Sequence, residues 1–458
     1  MRREHLGLWA ACALFLALRA AILFTDFDSV AMTSYELYPM GTLPTILLEG
    51  GISIPLSSYY DNAGGQLVVG LAAVPMYALF GQTYLALKLV PLLSGLGALI
   101  VLWCLLRAAF GTRAAWWGAF LFALAPATLV KYSLKASGNH YENLFFTLLA
   151  LWALWRVHAG GHRARRLWAA GAAMGLALTV FLGAIIPVGL LGCVHLGLVG
   201  ARRALRDLAH LVPGALLGAL PLLALNLAND RPRGASFLAA KFGGSGAGFD
   251  AGRVATRWVE FFTVHLPDSM TFPRFAGLPG SVAGTVFLAL FGVSLAAVAP
   301  ECARATARLV RGAFGRGARK PTSGGLGDLQ SFVLVPLVLY LPLTALAYGL
   351  SDLRMGGYQP PLEDGGYRYY LPTLTFACML IGVVTARWLA RPQRRAAGRL
   401  LVLGALACAA FDLALVEPSL ERAGRGGHYE GHYTKQVSRL LFASGRTRSN
   451  AWIRERVA

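Results

Sequence analysis

Apolar side chains along this chain come in long blocks. They show neither the alternate-residue pattern of half-buried strands nor the one-sided stripe of a surface helix. Blocks able to cross a bilayer run over Leu6–Phe24, Leu87–Leu106, Ala114–Val130, Asn143–Trp155, Leu167–Val199, Leu208–Leu227, Ser281–Ala299, Phe332–Leu350, Tyr369–Ala386 and Leu400–Val416. The pattern predicts an all-α polytopic membrane protein, because a backbone in lipid must satisfy its own hydrogen bonds. The block at Leu167 is double length, and Gly183 to Pro187 near its middle weaken helix continuity. Arg163, Arg165 and Arg166 precede it and Arg202, Arg203 and Arg206 follow it, so both ends belong on one side and two helices fit where one does not. The chain then has about eleven transmembrane helices.

Basic residues recur in alternate loops: Arg2 and Arg3, Arg107 and Arg113, Arg156 with the two clusters just named, Arg304 to Lys320, and Arg387 to Arg399. The positive-inside bias makes these loops cytoplasmic, with the amino terminus inside and the carboxyl terminus outside. The tail after Val416 runs against the bias, carrying Arg422, Arg425, Lys435, Arg439, Arg446, Arg448, Arg454 and Arg456 on the outer side. Much of it lies beyond the roughly 15 to 20 residues over which the bias acts. The long loops fall outside. Residues Thr25 to Ala86 contain Asp26, Asp28, Glu36, Glu49 and Asp61 and no Lys or Arg. Within them Gly65–Phe80 is apolar enough to pass for a crossing. If it crossed, Arg107, Arg113 and every later basic loop would change sides, so it is expected as a juxtamembrane helix lying in or dipping into the outer leaflet. The second outer loop, 229–280, contains Gly243 to Gly248, which lacks the GK[ST] ending of a phosphate-binding loop and reads as a flexible segment.

Composition narrows the function classes. Apolar residues make up 56% and charged residues 14%, which excludes a soluble domain. The net charge of +20, from 42 Lys and Arg against 22 Asp and Glu, would suggest a polyanion partner in a soluble protein. Here the charge sits in membrane loops, so no nucleic-acid partner is expected. Of six cysteines, all but Cys302 lie in apolar blocks, and no CxxC pair or disulfide framework is visible. The start, Met1-Arg2-Arg3 before an apolar run, reads as an uncut first helix. Arg19 interrupts the run, and no clear small-x-small cleavage site follows.

Two clusters carry candidate chemistry. Asp26-Phe27-Asp28 follows the first helix at the outer surface, where two carboxylates one residue apart would hold a divalent cation, or one would act as a general base. The plainer alternative is a pair of solvated loop acids. The second cluster is the short outer loop from Lys131 to Glu142, with Lys135, Asn139 and His140. Glu142 opens the next helix, where its dipole favours an acid regardless of function, yet polar groups gathered at the hydrocarbon boundary are costly unless used. His428 and His432 in the tail have metal-ligand spacing if helical, but Gly426, Gly427 and Gly431 oppose a helix there.

These segments resemble the GT-C superfamily of membrane glycosyltransferases, in the branch of the protein mannosyltransferases and the lipid A aminoarabinose transferases. The resemblance runs in order through Asp26 to Ser29, Tyr59 to Gly65, the stretch from Leu67 to Gly81, Leu87-Lys88-Leu89-Val90-Pro91, Arg107 to Gly111 and Leu134 to Glu142. Farther on, Tyr367-Arg368-Tyr369-Tyr370-Leu371-Pro372 is similar to the RY-x-x-P string of a late helix in this group. Ser29 stands where many relatives have a second acid, and Ser137 with Asn139-His140 stands where Arg-Gly-Gly is commoner.

The resemblance implies a glycosyltransferase that moves a hexosyl or pentosyl group, with inversion, from a polyprenyl-phosphate donor to a lipid, glycan or protein acceptor. The site would face outward from a cell membrane, expected to be a bacterial inner membrane. Asp28 or Asp26 would be the catalytic acid of the first loop and Glu142 the second acidic position. Lys135 and Arg368 are the candidates for the donor phosphate, with His140, Asn139 and Tyr369 as substrate contacts. Asp26 and Asp28 are also the candidate ligands for Mg²⁺ or Mn²⁺. Lys135 and Arg368 could equally be interfacial anchors among the tyrosines of an aromatic belt. In this division, 1–228 is the catalytic transmembrane module with its first outer loop at 25–86, 229–280 an outer loop, 281–416 further membrane helices and 417–458 a basic outer tail. The competing readings are a transporter or flippase, which would place polar sites at the membrane midplane, and a catalytically silent relative serving as an assembly partner.

Overall fold

The structure, a computed structural model, describes residues 2–25, 41–49, 65–124, 126–136, 138, 140–160, 162–228, 251–271, 273–314, 326–350 and 367–425. The protein is an all-α integral membrane protein, and no strand occurs among the described residues. Six stretches are by themselves long and apolar enough to cross a membrane: His5–Leu23, Leu85–Phe110, Leu182–Val199, Val282–Phe314, Leu329–Leu350 and Leu371–Ala390. In chain order the first helices are α1 (Arg2–Thr25), α2 (Thr42–Leu48), α3 (Gly65–Phe80), α4 (Tyr84–Phe110), α5 (Thr112–Leu124) and α6 (Ala127–Tyr132). Next come α7 (Tyr141–His158), α8 (Arg163–Val180), α9 (Ile185–Val199), α10 (Ala201–Gly218) and α11 (Leu220–Ala228). The remainder are α12 (Ala251–Glu260), α13 (Leu266–Thr271), α14 (Pro273–Phe314), α15 (Leu326–Leu350), α16 (Leu371–Ala390) and α17 (Arg395–Arg425).

The double block divides as expected. Helix α8 ends at Val180, a short 3-10 turn covers Leu182–Ala184, and α9 begins at Ile185. The packing of α8 on α10 shows why α9 must run back between them. A Cβ at Gly171 would lie 2.1 Å from the Leu211 carbonyl oxygen, and one at Gly175 would lie 2.1 Å from that of Ala215. Reciprocally, a Cβ at Gly214 would lie 2.4 Å from the Trp168 carbonyl oxygen, and one at Gly218 would lie 2.1 Å from that of Ala172. Contacts advance together along both helices, so the pair is parallel. Two small-xxx-small pairs let the backbones touch, as in membrane helix dimers.

Side-chain contacts sort the helix ends into two groups. At one end Arg163 pairs with Asp207 through both guanidinium and carboxylate edges. Asp207 Oδ2 is 3.0 Å from His195 Nε2, and His195 Nδ1 is 3.1 Å from His158 Nε2. At the same end Arg387 donates to Glu301 at 2.6 and 3.3 Å, and Gln330 donates to the Ala109 carbonyl at 3.0 Å. These partners come from the basic loops that the charge rule groups together. The opposite end unites the segments around Gly65, Gly138, Val180, Phe261, Tyr348 and Tyr370.

Other elements differ from the sequence expectation. The block Ala114–Val130 is two helices, α5 and α6, because Pro126 lacks an N–H and biases Ala125 away from helical geometry. The block Leu208–Leu227 divides at Ala219. Helix α14 extends well past Ser281–Ala299 on both sides, carrying Arg304, Arg308 and Arg311 and including Cys302. The second outer loop is partly helical, with α12, a π-helical turn at Phe261–His265 and α13. Its helical signal was the three-to-four-residue spacing of Val254, Trp258 and Phe261. Gly243 to Gly248, His428 and His432 lie outside the described residues.

Helix α3 has 16 residues, about 24 Å at 1.5 Å per residue and short of the roughly 30 Å hydrocarbon core. Its first residue packs on Gly138 and Val180. We expect Tyr60→Cys and Thr83→Cys to react with a membrane-impermeant maleimide from the same, outer side of oriented vesicles. Labelling from opposite sides would make α3 a crossing and separate Glu142 from the first loop.

Candidate active site

Because Pro126 ends α5, the chain restarts as α6, with the Pro126 carbonyl accepting from the N–H of Leu129 at 2.8 Å and of Val130 at 3.3 Å. It then turns through Ser133 and Leu134 and enters α7 at Tyr141. Arg19, fully buried in α1, holds this break. Its Nη1 donates to the Ala123 carbonyl, and its Nε donates to Ser133 Oγ at 3.1 Å. Ser133 in turn donates to the Val130 carbonyl at 2.5 Å, and the Tyr141 hydroxyl donates to the Leu129 carbonyl at 2.6 Å. The guanidinium lies 3.9 Å from the centre of the Phe15 ring, and its Nη2 has no hydrogen-bond partner among the described residues. A buried cation bonded to a carbonyl and a hydroxyl gains charge-assisted hydrogen bonds.

The loop that Arg19 anchors carries three candidate residues. Lys135 is half-buried, and its backbone N–H donates to the Tyr132 carbonyl at 3.3 Å. His140 is 4% exposed and meets the Tyr132 ring edge-on at 4.6 Å. Glu142 is 3% exposed in the first turn of α7. The helix dipole favours a carboxylate at this position, but it does not require removing that carboxylate from water.

Three other segments close around this loop. A Cβ at Gly65 would fall 1.6 Å from the Gly138 carbonyl oxygen and 2.4 Å from that of Val180, so α3 begins directly against the loop and the end of α8. Gly138 itself has φ of 74°, a left-handed conformation that favours glycine. The 3-10 turn Tyr367–Tyr370 packs on α6, and the Tyr369 ring lies 5.5 Å from Phe181. From the second outer loop, Phe261 stacks at 5.3 Å from Tyr370 and 6.0 Å from Tyr348. Tyr348 also meets His265 through a 3.0 Å hydrogen bond and Arg257 through a cation–π contact at 4.2 Å.

The fold therefore brings the segment bearing Lys135, His140 and Glu142 to the same end as the turn bearing Arg368 and Tyr369. The place of Arg368 in that turn is described, but its side chain is not. Asp26, Asp28, Ser137 and Asn139 lie outside the described residues. Among the described residues, which do not include Asp26 and Asp28, no three His, Cys, Asp or Glu side chains gather to hold a metal ion.

Two buried cations escaped the sequence reading of the site. Arg19 registered only as an interruption of an apolar run, although a lone arginine inside a membrane helix is itself a functional signal. Lys88, 1% exposed near the start of α4, carried the same signal. The aromatic groups from the second outer loop carried no comparable signal.

The fold is that of known membrane glycosyltransferases. The archaeal oligosaccharyltransferase AglB from Archaeoglobus fulgidus, solved with an inhibitory peptide and a dolichol-phosphate, superposes over 99% of this chain with a TM-score of 0.53 and 14% identity. The chain spans only 59% of that protein's length. ArnT from Cupriavidus metallidurans, bound to undecaprenyl phosphate, matches 90% of this chain and 78% of its own, with a TM-score of 0.51 and 14% identity. Neither protein-family models nor curated proteins match the sequence. At this identity the likeness defines the fold, which is shared with AglB and ArnT.

Proposed function

We propose that the protein is a membrane glycosyltransferase that moves a hexosyl or pentosyl group, with inversion, from a polyprenyl-phosphate donor to a lipid, glycan or protein acceptor. The site faces outward from the cell membrane, a bacterial inner membrane. The observation that supports this most is the buried pair His140 and Glu142 in a loop held against the Tyr367–Tyr370 turn, within the fold shared with AglB and ArnT. The acceptor hydroxyl oxygen attacks the anomeric carbon from the face opposite the phosphate. The new C–O bond forms as the old one breaks, and its electron pair leaves with the lipid phosphate. Asp28 takes the hydroxyl proton as general base, with Asp26 beside it. Lys135 and Arg368 compensate the charge developing on the departing phosphate, a task for preorganised cations in a water-poor site. Glu142 is the second acidic position, and His140, Asn139 and Tyr369 contact the substrates. Any Mg²⁺ or Mn²⁺ requirement falls to Asp26 and Asp28 as ligands.

Sugar transfer from a polyprenyl-phosphate donor by the purified protein tests this reading. Absence of transfer with every donor sugar tried, in a preparation that still binds polyprenyl phosphate, would instead support a catalytically silent relative. For the phosphate-binding pair we expect Lys135→Ala and Arg368→Ala each to weaken donor binding roughly tenfold, the effect of one charge-assisted hydrogen bond. Wild-type donor affinity in both, measured in protein of unchanged thermal stability, would make them interfacial anchors.

A further inference from the structure

The basic end of the bundle contains a concavity that the proposed reaction does not use. A cleft of about 480 Å³ is lined by Arg113, Trp116, Trp117 and Phe120 of α5, Leu389 of α16 and Leu406 of α17. Its size falls within the range of small-molecule sites, about 300 to 1,000 Å³. The α5 residues follow i, i+3, i+4, i+7 spacing, so they form one stripe about 10 Å long, with the arginine at one end and indole and phenyl rings along the rest. Arg113 is the second residue of α5, after a turn at Gly111 from Phe110, whose ring lies 5.5 Å from the Arg387 guanidinium. The charged end of the stripe is therefore at the basic end.

The stretches that line the cleft carry cations and no carboxylate, and Glu301 at this end is already ion-paired with Arg387. Arg113 is exposed and forms no ion pair among the described residues. Beyond Leu389 the chain presents Arg391, Arg394, Arg395 and Arg399, all exposed. Neither 98–124 nor 387–411 contains an Asp or Glu, so no carboxylate from these stretches competes for the cations. An apolar trough with a cationic mouth complements an amphiphile with an anionic head and a hydrocarbon tail. Basic clefts between membrane helices on the cytoplasmic side are suited to anionic head groups, and the charge rule assigns this end to that side.

We infer that the cleft is a binding site for an anionic glycerophospholipid of the cytoplasmic leaflet, its phosphate on Arg113 and the neighbouring arginines and an acyl chain along Trp116, Trp117, Phe120 and Leu406. The inference is independent of the transfer reaction, whose described candidates Lys135, His140, Glu142 and Tyr369 lie at the other end. A zwitterionic lipid carries its own ammonium beside the phosphate and gains less from this all-basic mouth.

The full chain, purified and reconstituted in mixed phosphatidylglycerol and phosphatidylcholine bilayers, tests the site by native mass spectrometry of retained lipid. Phosphatidylglycerol should be retained in preference to phosphatidylcholine. Arg113→Gln should lower its retention roughly tenfold, as loss of one charge-assisted contact does, while phosphatidylcholine retention stays unchanged. Leu406→Trp, which fills the trough but keeps Arg113, should lower it as well. Equal retention of the two lipids by the wild type would overturn the inference, and that comparison needs no variant to fold. So would undiminished phosphatidylglycerol retention in both variants, or displacement of phosphatidylglycerol by equimolar undecaprenyl phosphate, which would assign the cleft to a polyprenyl lipid.

Discussion

We expect Asp28→Asn to lower turnover by about 10² to 10⁴ in folded, membrane-inserted protein, the loss typical of removing a general base. Asparagine keeps the shape of the side chain and removes the proton acceptor, so donor binding should survive while transfer fails. Asp28 is chosen over Asp26 because it lies farther from the end of α1 and corresponds better to the first-loop acid of the GT-C enzymes. The comparison that decides it sets Asp28→Asn beside Asp26→Asn and Glu142→Gln in identical preparations. Near-wild-type turnover in Asp28→Asn would reject the base assignment. Near-wild-type turnover in all three would remove the case for chemistry at this surface. A metal role for Asp26 would appear as a divalent-ion requirement that Asp26→Asn abolishes.

We expect Arg19→Met to lower kcat by about 10², the scale of a 1 Å misplacement of a catalytic group, without unfolding the protein. Arg19 touches the Ala123 carbonyl and Ser133 on either side of the break at Pro126, and the loop it holds leads directly to His140 and Glu142. On the proposed reading it acts through these residues, as a positioning residue. Methionine occupies much of the same volume, and leaving the Ala123 carbonyl and the Ser133 hydroxyl without this donor costs about 1–3 kcal/mol, which the thermal midpoint reads separately from turnover. Arg19→Lys retains the charge but not the planar fork that spans both partners, so it should recover only part of the rate. Turnover and thermal midpoint measured together check this. A wild-type kcat in Arg19→Met would show that the clamp does not govern the loop.

The contrast between Glu142 and Arg19 shows how far the sequence reaches. Glu142 was legible because it is polar at the edge of an apolar block, near two lysines and a histidine in a loop assigned outward. Arg19 was not, because its role depends on meeting Ala123 and Ser133, more than a hundred residues away. The break at Pro126 was written in the sequence and passed over, since the apolar block hid it. The grouping of Phe261, Tyr348 and Tyr370 could not be read, because aromatic residues from three segments share no local pattern.

By itself the sequence determined that the chain lies in a membrane as apolar helices, which basic loops group at one end and that the long Leu167 block turns back on itself. These follow from one local quantity, the cost of placing each residue in hydrocarbon, together with the bias on basic loops. Tertiary structure alone decided that α8 and α10 run parallel in backbone contact, that Arg19 clamps the Pro126 break, and that the loop before α7 meets the start of α3 and the Tyr367–Tyr370 turn. Inside a bilayer, lipid tails are as apolar as leucine, so hydropathy cannot say which helix faces face each other. Small residues, buried hydrogen bonds and close packing make that choice, and they act between residues far apart in the chain.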